Sequence, residues 1–258
     1  MKHSIERSHN HNPHLIPGLH SVKEALVSNA IKVHEIWISE GRDPARVREI
    51  LEIAENKRIP VLFKKADILN DALPSGNHQG IIAVAGEFAY IELEDLIESS
   101  RHKQGHGLLI AADHITDEGN LGALIRSAVF FGAQGIILPK DRSAQVTHNV
   151  MKRSSGTYLS LPVARVVNLS RALDILTEDC FWIIGAAGES TESIYNFDWG
   201  RDIVLVLGSE DKGLSHLARS KCHQIVGIPS AGAAESLNVS VACGVILSEV
   251  MRQRAAKG

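Results

Sequence analysis

The chain has 258 residues, of which 44% are hydrophobic and 22% charged, and its formal net charge is −3. This length and composition predict one large or two modest folded domains, and the net charge restricts any nucleic-acid-binding surface to a local patch. The 3 cysteines are widely spaced and form no CxxC pair, which is typical of a reducing compartment and argues against a disulfide framework or a zinc site. No apolar run reaches the roughly 18 residues of a membrane span, and no secretion signal is readable, so the cytoplasm is the expected location.

The N-terminal segment, residues 1–13, is polar and contains His3, His9 and His11. No further ligand set accompanies these histidines, which favours a disordered tail over a metal site. No metal ion is therefore expected.

Residues 14–86 alternate between helical and strand-like patterns, which predicts a small α/β domain. The predicted strands and helices are 33–39, 59–64 and 81–85, and 18–28, 43–57 and 66–73. The sequence pattern of residues 87–106 predicts a linker that carries a short amphipathic helix.

Residues 107–258 predict a second α/β domain built on a parallel sheet. Unbroken apolar runs, typical of strands buried on both faces, occur at 107–112, 135–139, 181–186, 203–208 and 224–228. Helical patterns lie at 121–131, 144–151 and 169–178, and a C-terminal helix is predicted to open at Ser236. This alternation indicates helices on both faces of the sheet.

Three of these runs are followed by loops rich in Gly, Ser and Asn, at the strand ends where open parallel sheets bind ligands. Each loop alone is ambiguous, because such residues also suit turns and helix caps. The loop after 203–208 is not a P-loop, since no Gly-Lys-Ser/Thr follows. No GxGxxG follows a strand, so a nucleotide-binding oxidoreductase is disfavoured.

Taken together, the three loops resemble the ordered motifs of the SpoU/TrmH family of RNA ribose 2′-O-methyltransferases, in the SPOUT superfamily. The matching segments are Asn120-x-Gly122-Ala123-x-x-Arg126, Leu207-Gly208-Ser209-Glu210-x-x-Gly213, and Ile228-Pro229 followed by Ser236-Leu237-Asn238-Val239-Ser240. Residues 14–86 are similar to the small RNA-binding domain, like ribosomal protein L30e, of a bacterial subgroup that methylates a guanosine in 23S rRNA.

The resemblance implies a deep trefoil knot in the C-terminal domain, which general rules of chain topology would not predict. It also implies a homodimer in which both subunits shape the active site. The implied reaction is methyl transfer from S-adenosyl-L-methionine to the ribose 2′-hydroxyl of a guanosine in 23S rRNA.

By the same resemblance, Arg126 acts on the ribose hydroxyl. The residues implied to support it are Asn120, Glu210, Ser236 and Asn238, and those implied to contact the methyl donor are Gly208, Ile228 and Leu237. We expect Arg126 to stabilise the developing oxyanion rather than act as a base, because arginine hardly deprotonates in proteins. A substrate phosphate or Glu210 is then expected to accept the proton.

One residue departs from the family pattern. The family usually has Asp-Pro where this chain has Asp117–Glu118. Because proline fixes the backbone, this departure is expected to loosen the loop.

Basic residues are concentrated between Lys140 and Arg171, against the single acid Asp141. They are Lys140, Arg142, Lys152, Arg153, Arg165 and Arg171. This bias predicts contacts with RNA phosphates, although a solvated basic face has the same pattern. A weaker cluster spans residues 57–65. Tyr158 is a candidate for stacking on bases, whereas Trp37 is better explained by core packing.

Two alternatives stay open from the residues alone. In the first alternative, the protein methylates transfer RNA rather than ribosomal RNA. In the second, the chain is a non-catalytic RNA-binding factor of ribosome assembly. The residues of the three motifs favour an enzyme.

Overall fold

The structure is a computed structural model that describes residues 14–28, 30–74, 77–101, 105–233 and 236–257. The predicted tail at residues 1–13 lies outside these ranges. The chain divides into two compact units, one ending at Ala89 and the other beginning at Tyr90.

As far as the structure describes it, the first unit is a four-stranded sheet with three α-helices. Its strands are β1 (His14–Pro17), β2 (Ile31–Ser39), β3 (Val61–Lys64) and β4 (Ile81–Phe88), and its helices are α1 (Leu19–Val27), α2 (Arg48–Asn56) and α3 (Ala66–Ala72). The strand order is β1-β4-β2-β3, in which β3 pairs with β2 in parallel and β4 pairs antiparallel with β1 and β2.

The burial pattern of β2 changes phase at a register shift in its pairing with β4, which lies between Val33 and Glu35. Odd-numbered residues are buried before the shift, and the even-numbered Ile36 and Ile38 are fully buried after it. The sequence pattern did not reveal β1, because four residues ending in Pro17 are too few to show a period.

The second unit is a six-stranded parallel sheet with six α-helices in the described residues. Its strands are β5 (Leu108–Ala112), β6 (Gly135–Pro139), β7 (Val163–Val166), β8 (Trp182–Ala186), β9 (Ile203–Leu207) and β10 (Gln224–Val226). Its helices are α4 (Leu93–Arg101), α5 (Glu118–Phe130), α6 (His148–Arg153), α7 (Leu169–Glu178), α8 (His216–Lys221) and α9 (Val239–Lys257). The predicted α/β fold with a parallel sheet is confirmed, with β7 as an additional strand.

The strand order β10-β8-β9-β5-β6-β7 reverses direction between β5 and β9. The chain runs outward from β5 to β7, then crosses back to build β8, β9 and β10 on the other side. In open parallel sheets, ligands bind at the carboxyl ends of the strands that flank such a reversal. This topology places the loops after β5 and β9 side by side.

Both faces of this sheet are covered. One face packs against α4, α7 and α8, and its core contains Leu96, Leu173 and Ala218. The alternate strand residues, such as Ile110 and Leu205, point to the other face and are also fully buried. The helix α4 is therefore part of the second unit's core, although the sequence pattern placed it in a linker.

The C-terminal helix α9 is fastened by Arg254. Its guanidinium donates hydrogen bonds to four backbone carbonyls, at 3.1 Å to Trp199, 2.8 Å to His106, 3.0 Å to Gly107 and 2.8 Å to Arg201. Burial lowers the pKa of Arg254. The helix is thus tied to the segments that lead into β5 and β9.

Replacing Arg254 with alanine is expected to lower the free energy of unfolding by about 3 kcal/mol or more, because each hydrogen bond from a charged donor contributes about 1.5–3 kcal/mol. Denaturant unfolding followed by circular dichroism measures this change. The matched control is Arg171→Ala, since Arg171 is exposed on α7. Equal stability of the two variants would show that Arg254 does not fasten the helix.

None of the helices within the described residues is long and apolar enough to cross a membrane.

Candidate active site

The carboxyl ends of β5, β9 and β10 carry the three loops that the sequence singled out. The backbone N–H of Asp113, just past β5, donates to the carbonyl of Leu207 at the end of β9 at 2.8 Å. The first two loops therefore start from adjacent points of the sheet. The third reaches them through Asn238, which precedes α9.

Asn120, Glu210 and Asn238 form one hydrogen-bonded group, the Asn–Glu–Asn network. Asn120 Nδ2 donates to Glu210 Oε1 at 2.7 Å, and Asn238 Nδ2 lies 2.5 Å from the same oxygen. Asn238 Nδ2 also lies 2.9 Å from Asn120 Oδ1. Three of the predicted site residues, one from each loop, are thus in direct contact.

Helix caps hold both asparagines in place. The carboxylate of Asp117 caps α5 by accepting the backbone N–H of Asn120 at 2.7 Å. Asn238 Oδ1 accepts the backbone N–H of Ser240 at 2.9 Å and its hydroxyl at 2.6 Å. Asn238, rather than Ser236, therefore caps the C-terminal helix, which begins at Val239 and not at Ser236 as predicted.

The loop before α5 is anchored by Glu118, the residue that stands in place of the family's usual proline. Its carboxylate accepts hydrogen bonds from Thr147 Oγ1 at 2.9 Å and from Asn149 Nδ2 at 2.8 Å. Thr147 also caps α6. Two side-chain contacts to the start of α6 thus hold a segment that was expected to be looser.

A tight turn holds Glu210. Ser209 and Gly213 exchange two backbone hydrogen bonds, at 3.1 and 2.8 Å, and Gly213 has a φ of +63°. A Cβ at Gly208 would lie 2.1 Å from the carbonyl carbon of Gly213. Glycine at 208 is therefore required by the close approach of the turn to its own base.

Asp113 is a supporting residue to which sequence reasoning gave no role. It is 1% exposed, and its carboxylate accepts the backbone N–H of Ser215 at 2.6 Å and lies 2.6 Å from His114 Nδ1. It thereby joins the end of β5 to the segment that follows the Gly208–Gly213 turn. An acid directly after a fully buried strand was the signal for it.

Replacing Asp113 with alanine is expected to lower the free energy of unfolding by about 1–3 kcal/mol, because the part-buried backbone N–H of Ser215 loses its acceptor. Denaturant unfolding followed by circular dichroism measures this change. Unchanged stability would show that Asp113 does not support the turn.

Within the described residues, no hydrogen bond joins Arg126 to the Asn–Glu–Asn network. It is exposed on α5, and its Nη1 lies 3.4 Å from Ser155 Oγ. Ser155 follows α6, whose last turn carries the exposed cations Lys152 and Arg153. Three cationic side chains thus lie around one turn at the protein surface.

Besides Asn238, the third loop carries two of the residues predicted to contact the methyl donor and one predicted to support Arg126. Ile228 is half-buried, while Ser236 is exposed and Leu237 is 49% exposed. The start of this loop is held by Gly227, whose N–H donates to the carbonyl of Glu192 at 2.7 Å. An apolar, partly open loop end lies next to the network residue Asn238.

The other predicted RNA-binding residues follow β6. Lys140 and Arg142 are exposed there, and Arg165 Nη2 donates to the carbonyl of Lys140 at 3.3 Å. Tyr158 is 2% exposed, so the prediction that it stacks on bases is wrong. Burial also raises its pKa, and packing against the core leaves no free ring face for a base.

Comparison with known proteins relates both units to one family. The family model described as SpoU rRNA Methylase matches residues 107–248, and a model described as RNA 2′-O ribose methyltransferase substrate binding matches residues 15–91.

Similar proteins span nearly the whole chain. The 23S rRNA (guanosine-2′-O-)-methyltransferase of Pseudomonas aeruginosa is 40% identical, over 92% of this chain and 95% of its own length. A putative TrmH family tRNA/rRNA methyltransferase of Bacillus subtilis is 35% identical, over 92% of this chain and 94% of its own.

Among solved structures, the SpoU methyltransferase AviRb of Streptomyces viridochromogenes, in complex with the cofactor AdoMet, has a TM-score of 0.76 and 27% identity. That likeness covers 94% of this chain and 90% of the other. The matched models, the extent of the identity and the shared parallel-sheet fold agree, and the chain belongs to the SpoU rRNA methylase family.

Proposed function

We propose that this protein transfers a methyl group from S-adenosyl-L-methionine to the ribose 2′-hydroxyl of a guanosine in 23S rRNA. The observation that carries the proposal is the Asn–Glu–Asn network, which joins all three family motifs at the strand-order reversal. The 40% identity to the Pseudomonas enzyme over 92% of the chain supports the substrate.

The loops fit the methyl donor chemically. Exposed Leu237 and half-buried Ile228 offer apolar surface for an adenine ring, and the backbone at Gly208 offers polar groups. These three residues would hold the donor, which supplies an electrophilic methyl group when bound. The network would keep the second and third loops at a fixed distance from the first.

Arg126 would stabilise negative charge on the 2′-oxygen as the hydroxyl loses its proton. Its guanidinium remains protonated throughout, so it serves as a fixed donor rather than as a base. The proton would pass to Glu210 or to a phosphate of the RNA. Glu210 is exposed, and both network contacts fall on its Oε1, so neither asparagine donates to its Oε2 in the described residues. The network asparagines position the reacting groups, as does Ser236 beside them.

A homodimer would complete the site. The helices α5 and α9 expose apolar residues, among them Phe130 at 80%, Val241 at 51% and Met251 at 42%. Arg126 is exposed on the same helix as Phe130, so a second subunit packed on this surface would lie close to Arg126. Apolar patches of this kind commonly mark subunit interfaces.

The finer fold assignments follow the family. The C-terminal segment would be threaded as a deep trefoil knot, and the first unit would act as an RNA-binding domain like ribosomal protein L30e. The exposed cations Lys140, Arg142, Lys152 and Arg153 would contact phosphates of the RNA. The reaction would take place in the cytoplasm, where ribosomal RNA is found.

The test is transfer of a labelled methyl group from S-adenosyl-L-methionine to unmodified 23S rRNA and, separately, to unmodified transfer RNA. Label in 23S rRNA alone is expected. Label in transfer RNA alone would keep the chemistry and overturn the substrate, an outcome raised by the tRNA/rRNA name of the Bacillus relative. Donor binding without label in either RNA would favour a non-catalytic assembly factor.

A further inference from the structure

The strand β3 and the segment before it form a basic stretch in the first unit. Residues 57–65, Lys-Arg-Ile-Pro-Val-Leu-Phe-Lys-Lys, contain four cations and no acid, and the nearest acids in the chain are Glu55 and Asp67. We call this stretch the β3 edge. A local excess of four positive charges is notable in a chain whose net charge is −3.

The β3 edge also exposes large apolar side chains. Phe63 is 61% exposed and Leu62 is 39% exposed, although both lie within a strand. In the four-stranded sheet β3 is terminal, and within the described part of the chain it pairs only with β2. The aromatic side chain of Phe63 is thus exposed to solvent at the edge of the sheet.

Two of the four cations are held by protein contacts. Lys57 Nζ donates to the carbonyl of Leu26, and Lys64 Nζ lies 3.4 Å from the centroid of the Trp37 ring. Arg58 and Lys65 are exposed. Phe63 in the strand and Lys65 directly after the strand are both exposed, so an aromatic ring and a cation lie two residues apart along this stretch.

This combination suits single-stranded RNA better than a protein strand. An aromatic ring stacks on a base of any sequence, and neighbouring cations pair with the phosphates. Lysines on an edge strand oppose pairing with another strand. The family model for RNA substrate binding spans residues 15–91 and therefore includes the whole stretch.

We propose that the β3 edge binds a single-stranded segment of the substrate RNA, with Phe63 stacked on a base and Arg58 and Lys65 paired with phosphates. This inference rests on the proposed function. It gives the first unit a specific contact with the RNA, separate from the three motifs of the second unit.

The test measures binding of the full-length protein to an unmodified 23S rRNA transcript at several salt concentrations. Phe63→Ala is expected to weaken binding by about 5- to 150-fold, the range for one stacked base. The double variant Arg58→Gln/Lys65→Gln is expected to reduce the slope of log K against log salt by about 1.4, since each single-strand phosphate contact contributes about 0.7.

Matched controls come from α1 of the same unit. Val27→Ala shortens an apolar side chain that is 62% exposed, and Lys23→Gln removes one positive charge. Neither control is expected to change RNA affinity by more than about twofold, because surface substitutions usually have small effects. Circular dichroism and the Kd for S-adenosyl-L-methionine should be unchanged in all variants.

If the β3-edge variants keep the RNA affinity and the salt slope of the wild-type protein, the inference is overturned. A change in sedimentation coefficient in those variants, with RNA affinity intact, would identify the edge as a protein contact and also overturn it. If the wild-type protein neither binds nor methylates the transcript, the proposed function itself fails, so the two failures are distinguishable.

Discussion

Replacing Arg126 with alanine is expected to lower kcat by about 10²- to 10³-fold, the usual cost of removing one donor to a developing oxyanion. The Kd for S-adenosyl-L-methionine is expected to stay the same, because Arg126 lies on α5 and contacts Ser155 rather than the Gly208 turn. Single-turnover methylation of 23S rRNA measures the rate, and calorimetry measures donor binding. The fold should be unaffected, since the side chain is exposed.

The conservative variant Arg126→Lys distinguishes a geometric role from a purely ionic one. Lysine keeps the charge but loses the planar, forked donors of the guanidinium. We therefore expect it to remain well below wild-type turnover. Near-normal turnover would contradict the assigned role. The control Ser155→Ala removes the observed partner of Arg126, and only a small change in rate is expected.

Replacing Gly208 with alanine is expected to disrupt donor binding and the fold of the turn together. The added Cβ would lie 2.1–2.3 Å from backbone atoms of Gly213 and Leu214. Backbone atoms cannot move aside as the end of a flexible side chain can. Overpacking of this kind costs about 1–3 kcal/mol of stability. If a similar cost falls on binding, the donor Kd rises by about tenfold or more.

The matched control is Gly232→Ala. A Cβ at Gly232 would meet no atom within 4 Å, so its free energy of unfolding should stay within about 0.5 kcal/mol of wild type. Denaturant unfolding and donor titration are measured for both variants. Wild-type stability and donor affinity in Gly208→Ala would show that the close approach of the turn is not required.

The sheet of the second unit was predictable because its central strands are unbroken apolar runs. Leu108–Ala112 and Ile203–Leu207 are buried at every residue, and such runs are typical of a parallel sheet covered on both faces. The strand β7 was not predictable in the same way. Val163–Val166 has four residues, two of them only half-buried, which is too little to show a period.

The motif residues were found through the family resemblance, whereas their contacts were not. Asn120 and Glu210 are separated by 90 positions and meet because the strand order reverses between β5 and β9. The start of α9 was misplaced for a local reason. Apolar periodicity extends back to Leu237, but the helix begins where the Asn238 side chain accepts backbone N–H groups.

Burial of polar and aromatic side chains was the least predictable property. Tyr158 follows two basic residues closely and resembled a base-stacking residue, yet it is 2% exposed. Arg254 likewise binds backbone carbonyls of two distant segments, 106–107 and 199–201. Such contacts depend on which segments meet in three dimensions.

The three loops are proposed to direct a methyl group to the ribose 2′-oxygen of a guanosine. The most direct measurement is nucleoside mass spectrometry of 23S rRNA after reaction with the protein and isotope-labelled S-adenosyl-L-methionine. We expect the label to appear in 2′-O-methylguanosine and the adjoining phosphodiester to resist alkaline cleavage. Label on a base, or on the ribose of another nucleoside, would contradict it.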